Sequence, residues 1–235
     1  MVKEELPKMV RVWLSLIIPP ILLAIITMIV ATYIGIKTHG ASGAIAEGIV
    51  SSLPYILMLN HTLLFLILLV FIQTDGISLG SIGWQLPSGK KSLLLEPVVG
   101  IVAGIVLGLF GHFALEPILE IAERTIGDYQ LGSGTYIVGS RIPWLIGATV
   151  FAGIVEESIY RGYAIRRLSL RMGTGWAMVV SSVLFGPLHW GEGLWAMVGA
   201  MIDGAFLAGI FIWRRNLLTA VVAHAVINVV SILWQ

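Results

Sequence analysis

The sequence predicts an all-α, polytopic transmembrane helix bundle, and its composition and its long apolar runs are the observations behind this prediction. Of the 235 residues, 57% are hydrophobic and only 11% are charged, and the mean hydropathy is +0.95. A soluble domain carries about 25% charged residues. Apolar runs close to the roughly 20 residues that a helix needs to cross a bilayer recur along the chain. We therefore expect an integral, multi-pass membrane protein.

About seven spans are predicted, and they form one membrane domain over residues 1–235. The fifth is short and contains Gly186-Pro187, and the only sizeable polar connection runs from Glu116 to Arg141. No internal repeat is evident, so residues 1–141 are interpreted as less specialised lead-in spans and residues 142–235 as the core that carries the site. The predicted spans are Trp13–Ile36, Leu53–Ile72, Leu93–Leu115, Ile142–Arg166, Trp176–His189, Leu194–Trp213 and Leu217–Trp234.

The basic residues between the spans predict an orientation. Lys37, Arg124 and Arg141 fall on one side of the membrane, and ten lysines and arginines fall on the side of the N-terminus. Because cytoplasmic loops are enriched in Lys and Arg, the N-terminus is expected in the cytoplasm and the end of the seventh span outside. The ten residues are Lys3, Lys8, Arg11, Lys90, Lys91, Arg166, Arg167, Arg171, Arg214 and Arg215.

A pair of glutamates lies inside the fourth predicted span. Glu156 and Glu157 follow a continuous apolar run, and a charged group at bilayer depth costs on the order of 3 kcal/mol, so such residues are usually retained for function. Glu157 and Arg161 are four residues apart on one helix face and are expected to pair. Glu156 points about 100° away round the helix and is left for another role. A structural ion pair with a spare glutamate is the alternative.

Polar residues of the last four spans are predicted to share one level of the membrane. At a helical rise of about 1.5 Å per residue, Glu156, Asp203 and His224 lie roughly 14 to 16 Å from the cytoplasmic ends of their spans. By the same rise, His189 and Asn228 lie at roughly 20 Å. Unrelated structural polar residues would have no reason to lie at the same depth, so these residues are interpreted as one site.

The residue types limit the chemistry of this site. The chain has no cysteine, which excludes a disulfide framework, a thiol nucleophile and a cysteine-based zinc site. A glutamate and a histidine can hold a water and take its proton, while a histidine and an asparagine can donate hydrogen bonds to an oxyanion. Two histidines and a carboxylate can instead bind zinc. The helical His-Glu-x-x-His pattern of zinc peptidases is absent, so no metal and no other cofactor is expected.

Three motifs occur in order on the late spans: Glu156-Glu157-x-x-x-Arg161, Phe185-x-x-x-His189 and His224-x-x-x-Asn228. Together they resemble the CAAX type II prenyl protease and bacteriocin-processing (CPBP) family of intramembrane peptidases. The resemblance covers about the last hundred residues, from Val150 to Trp234, and the first three spans contribute little to it. Asp203 belongs to none of these motifs.

The resemblance implies an intramembrane, metal-independent endopeptidase. It implies that Glu156 and His189 activate a water, that His224 and Asn228 form the oxyanion hole, and that Glu157 and Arg161 support the first motif. The expected substrate is a membrane-associated peptide or lipidated protein, of CAAX-like C-terminal type or of bacteriocin or leader type. A non-catalytic scaffold, chaperone or immunity protein of the same fold is the alternative, as is a metal-dependent intramembrane protease.

Further expectations concern the surroundings of the site. The site is expected to open toward the cytoplasm, and Asp203 to face its cavity and hydrogen-bond a motif histidine or the water; the alternative is a neutral Asp203 bonded to backbone. His61 and His112 are interpreted as structural, and Trp144 as a membrane-interface anchor. Expected partners are membrane lipid and the substrate. The net charge of +1 argues against nucleic acid. The location is the plasma or inner membrane in a prokaryote, or the endoplasmic reticulum membrane in a eukaryote.

Overall fold

The structure, a computed structural model, describes residues 2–85, 90–127 and 141–234, and it contains helices but no strand within those ranges. This confirms the all-α prediction. Helices are also what the composition requires, because a chain in lipid must satisfy its backbone hydrogen bonds internally. The α-helices are α1 (Val2–Lys37), α2 (Ser42–Thr74), α3 (Lys90–Phe110), α4 (Glu116–Ile126), α5 (Arg141–Trp144), α6 (Ala152–Glu156), α7 (Arg166–Phe185), α8 (Leu194–Arg214) and α9 (Leu217–Trp234).

Shorter helical turns join several of these elements. A π-helical turn, Gly111–Leu115, makes α3 and α4 continuous, so the first part of the predicted polar connection is helix. The rest of that connection, residues 128–140, lies outside the described residues. Further π-helical stretches, Leu145–Phe151 and Glu157–Ile165, link α5, α6 and α7. The turns Leu79–Ile82 and Gly186–Glu192 are 3₁₀-helical.

Six helical segments in the described ranges are long and apolar enough to cross a membrane, and the fourth of them, Ile142–Glu192, is twice the usual length. Its backbone turns at Gly173, whose φ of 78° is a left-handed value that suits glycine. The Ser181 hydroxyl donates to the Tyr160 carbonyl at 2.8 Å. In a straight helix those residues would lie about 30 Å apart. The segment therefore folds back on itself, and its two legs correspond to the fourth and fifth predicted spans.

Close packing of α3 against α9 fixes the helix that carries His224 and Asn228. Gly100, Gly104 and Gly108 lie four residues apart along α3 and contact valines of α9. A Cβ atom at Gly104 would lie only 2.6 Å from the Ala223 carbonyl oxygen. Small residues at this spacing allow two membrane helices to approach closely. The lead-in helix α3 thus sets the position of the last motif.

Candidate active site

The buried carboxylate of Glu156 lies at the centre of the candidate site. Glu156 is the last residue of α6, immediately before a π-helical stretch, a distortion often found at functional sites. Its Oε1 lies 2.8 Å from His61 Nε2. Its Oε2 has no hydrogen-bond partner among the described residues and lies 3.8 Å from His224 Nε2. One carboxylate oxygen is therefore held by the protein and the other is left for a small molecule.

His61, on α2, also lines this site, although its isolated position in an early span predicts only a structural role. Its Nδ1 lies 2.7 Å from the Leu57 carbonyl oxygen. A carbonyl oxygen only accepts, so Nδ1 carries a proton. The contact between Nε2 and Glu156 is then a hydrogen bond only when a second proton lies between the two groups. His61 and Glu156 therefore share a proton, as imidazolium with carboxylate or as neutral imidazole with carboxylic acid.

The second glutamate takes part in a separate, fully buried ion pair. Glu157 Oε1 accepts hydrogen bonds from Arg161 Nη1 at 2.9 Å and from His224 Nδ1 at 2.8 Å. Arg161 Nη2 also donates to the Gly204 carbonyl at 3.0 Å. Glu157 and Arg161 both have 0% exposure. The structure thus contains the pairing that the four-residue spacing predicts, and the same carboxylate orients His224.

The second motif ends in a 3₁₀ turn that brings His189 to the same cavity as His224. The 3₁₀ turn begins at Gly186, where a Cβ atom would lie 2.7 Å from the Met197 carbonyl oxygen, so glycine allows the approach to α8. The Phe185 ring lies 5.5 Å from the His189 ring and 6.1 Å from the His224 ring. The phenylalanine of this motif therefore packs against both histidines.

The hydrogen bonds of His189 leave one ring nitrogen for chemistry. Its Nδ1 lies 3.1 Å from Glu192 Oε1, a bond that fixes the orientation of the ring. Its Nε2 is buried and has no hydrogen-bond partner among the described residues. An unprotonated Nε2 accepts a proton, as a group that activates water must.

A cavity of about 550 Å³ brings the predicted site residues together. Glu156, His189, His224 and Asn228 all line it, as does His61. Trp144 also lines it and is only 4% exposed, so the prediction of an interface anchor is wrong for this residue. Most of the other lining residues are apolar. The volume lies within the range of ligand sites in proteins.

Asp203 does not line this cavity, in contrast to the expectation from its depth. It is half-buried on α8 and directly precedes Gly204, the residue whose carbonyl accepts the Arg161 bond. Depth along a helix gives the level of a side chain but not the direction in which it points. Asp203 thus has the depth of the site residues without being part of the cavity wall.

The cavity reaches the surface at the end of the bundle opposite the N-terminus. Ser42, the first residue of α2, and Glu192, after the fifth predicted span, are both exposed and both line it. Arg11, near the start of α1, pairs instead with Asp75 at the far end of α2. A cytoplasmic N-terminus and a cytoplasmic opening, both expected from the sequence, are therefore incompatible.

A test of His61 follows from the shared proton. We expect His61→Gln to lower kcat by about 10- to 100-fold, because Gln can hydrogen-bond Glu156 but cannot carry its proton. The pH dependence of kcat should change while KM stays within about twofold. His112→Gln is the matched control, since His112 also bonds a glutamate (Glu116 at 3.0 Å) but lies outside the cavity. An unchanged pH profile in His61→Gln would leave His61 a purely structural role.

Residues 138–230 match the family model of the type II CAAX prenyl endopeptidase Rce1-like proteins. No curated protein and no solved structure matches the chain. The matched stretch contains Glu156, His189, His224 and Asn228, whereas His61 lies outside it. The match supports an intramembrane protease of the CAAX type in general. The chain is therefore a multi-pass membrane protein whose last hundred residues are similar to the Rce1-like type II CAAX prenyl endopeptidases.

Proposed function

We propose that this protein is a metal-independent intramembrane endopeptidase that hydrolyses a peptide bond with a water held by Glu156 and His189. The observation that carries the proposal is the convergence of these two side chains on one cavity, each with a buried polar atom that has no partner within the described residues. A carboxylate and an imidazole placed in this way can act as general bases. The substrate is a membrane-associated peptide, of CAAX-like C-terminal or bacteriocin and leader type.

In the proposed reaction, Glu156 takes a proton as the water oxygen forms a bond to the substrate carbonyl carbon. The electrons of the carbonyl double bond move to oxygen, and His224 and Asn228 donate hydrogen bonds to the resulting oxyanion. Nδ1 of His224 already donates to Glu157, so the ring can donate to the oxyanion only from Nε2. This role therefore requires a proton on Nε2 as well. The intermediate then expels the amine, which receives the proton from Glu156. Atoms and charge balance with water as the only co-reactant.

Glu157, Arg161 and Asp203 support the site rather than touch the substrate in this proposal. Glu157 holds Nδ1 of His224, and Arg161 neutralises Glu157 while its second nitrogen bonds the backbone of α8. Asp203 lies next to that backbone contact. Glu157 and Arg161 therefore fix the donor that faces the oxyanion.

The direct test is cleavage of a peptide panel by the purified protein in detergent. Lipidated and unlipidated peptides with CAAX-type C-termini, together with leader-type peptides, should include at least one that is cleaved in the wild type and not in Glu156→Gln. A folded wild-type protein that cleaves none of them would favour the scaffold, chaperone or immunity role.

Metal independence gives a separate prediction. Among the described residues, no three His, Asp or Glu side chains converge as the ligands of a metal ion. We expect EDTA or phenanthroline to leave the rate unchanged, and elemental analysis to find well under one zinc per chain. A His-Glu-x-x-His zinc peptidase in the same detergent serves as the positive control for the chelators. Inhibition that added zinc reverses would instead assign a zinc site to the histidines.

A further inference from the structure

The cavity occupies only one half of the bundle. On α2 its lining residues run from Ser42 to His61, and on α9 they run from His224 to Ile232. Both ranges extend toward the end of the molecule that carries the α1–α2 turn. Exposed residues line the cavity at this end, and Ser42 and Glu192 are among them. The site is therefore reached from this end.

The opposite half of the bundle is closed below the glutamates. We call Leu79–Gln85 the plug segment; it follows α2 and begins with a 3₁₀ turn. Within it Ile82 is 0% exposed, and the Trp84 indole donates to the Ser158 hydroxyl at 2.8 Å, two residues after Glu156. A Cβ atom at Gly162 would lie 2.6 Å from the Ile82 carbonyl oxygen, so no space separates the plug segment from the helix that follows the glutamates.

The plug segment is also bonded to the start of α9. The Leu217 amide donates to the Gly83 carbonyl at 3.0 Å, and the Asn216 side chain donates to the Gln85 carbonyl at 3.1 Å. Tyr160 and Tyr163 of the intervening helix are both 0% exposed. Packed side chains and backbone hydrogen bonds therefore fill the path from this end to Glu156.

Basic residues mark the closed end as the cytoplasmic one. Arg11 and Arg167 both pair with Asp75 just before the plug segment, and Arg166 donates to the Ser81 carbonyl within it. These arginines belong to the set of ten Lys and Arg on the side of the N-terminus, against Lys37, Arg124 and Arg141 on the other side. By the positive-inside rule, the open end faces away from the cytoplasm.

We infer that the cavity takes its substrate from the non-cytoplasmic half of the membrane, and that this substrate is an apolar segment of an exported or membrane-inserted protein. Of the two proposed substrate types, this selects the bacteriocin and leader type over a cytoplasmic CAAX-like C-terminus. The inference rests on the proposed peptidase function. The apolar character follows from the lining, which near the mouth consists largely of side chains such as Ile45, Ile49, Val50 and Leu53. An extended apolar segment transfers favourably from water to such a surface.

Cysteine labelling tests the direction of access without any assay of activity. The chain has no cysteine, so each single substitution introduces a unique thiol. Ser42→Cys lies at the mouth of the cavity, and Ser78→Cys, also exposed, precedes the plug segment. We expect a membrane-impermeant maleimide to label Ser42→Cys in intact cells and to label Ser78→Cys only after permeabilisation. A Ser42→Cys that needs permeabilisation, or a Ser78→Cys that does not, overturns the inference.

A pair of reporters tests the substrate. The same apolar segment is placed either on the non-cytoplasmic side or on the cytoplasmic side of a single-pass membrane protein, and each reporter is expressed with the wild type or with Glu156→Gln. We expect cleavage of the non-cytoplasmic segment only, and its loss in Glu156→Gln. Cleavage of the cytoplasmic segment that depends on Glu156 overturns the inference while the peptidase function stands. If neither segment is cleaved while the purified protein still cleaves a peptide of the panel, the substrate class alone is overturned; if it cleaves no peptide either, the peptidase function fails.

Discussion

Glu156→Gln is expected to lower kcat by about 10²- to 10⁴-fold, the usual contribution of a general base. The amide has nearly the same volume and can keep one hydrogen bond to His61, so the packing around residue 156 should survive. It has no oxygen that accepts a proton from water at neutral pH. The apparent melting temperature in detergent should therefore stay close to that of the wild type while peptide cleavage is lost.

The control for this exchange is Glu120→Gln. Glu120 is a glutamate with a 62% exposed side chain that bonds Arg124 on the surface of α4, far in sequence from every cavity-lining residue. Turnover in Glu120→Gln should match the wild type. Near-normal turnover in purified Glu156→Gln would contradict the proposed mechanism, whatever the behaviour of the other site residues.

Much of this architecture is predictable because lipid imposes simple rules on a chain. Backbone hydrogen bonding forces helices, and about 20 apolar residues are needed for each crossing, so the spans follow from hydropathy. The Glu157–Arg161 pair also follows from sequence, since i and i+4 side chains lie on one face of a helix. Even the short fifth span is recovered as the second leg of the segment that turns at Gly173.

Other features depend on the rotation of each helix about its own axis relative to its neighbours. Neither hydropathy nor residue spacing specifies that rotation. Asp203 has the depth of the site but does not line the cavity, and Trp144 lines the cavity and is buried rather than standing at the lipid interface. The plug segment determines which end of the bundle is closed and therefore where the cavity opens. It is a connection whose sequence contains no recognisable motif. The sequence does indicate the depth of His61, which lies 13 residues from the end of α2, or roughly 20 Å. An intramembrane histidine at that level is a candidate for function.

The second large effect is expected at Arg161, on stability. Arg161→Met leaves the buried carboxylate of Glu157 without the guanidinium that pairs with it and the Gly204 carbonyl without its donor. Breaking a buried ion pair in this way costs about 3–5 kcal/mol of the free energy of unfolding. Arg124→Met is the matched control, because Arg124 is 80% exposed in its pair with Glu120 and should change that free energy by less than about 1 kcal/mol.

Removing both charges separates the stabilising role of the pair from its positioning role. The double variant Glu157→Met with Arg161→Met leaves neither member of the ion pair unpaired, so it should regain a large part of the stability that Arg161→Met loses. It should not regain activity, because methionine offers no oxygen to accept the His224 Nδ1 bond and the ring loses its fixed orientation. Thermal unfolding in detergent and cleavage of the same peptide measure the two effects. If activity returned together with stability, the ion pair would act on folding alone, and the positioning of His224 by Glu157 would be contradicted.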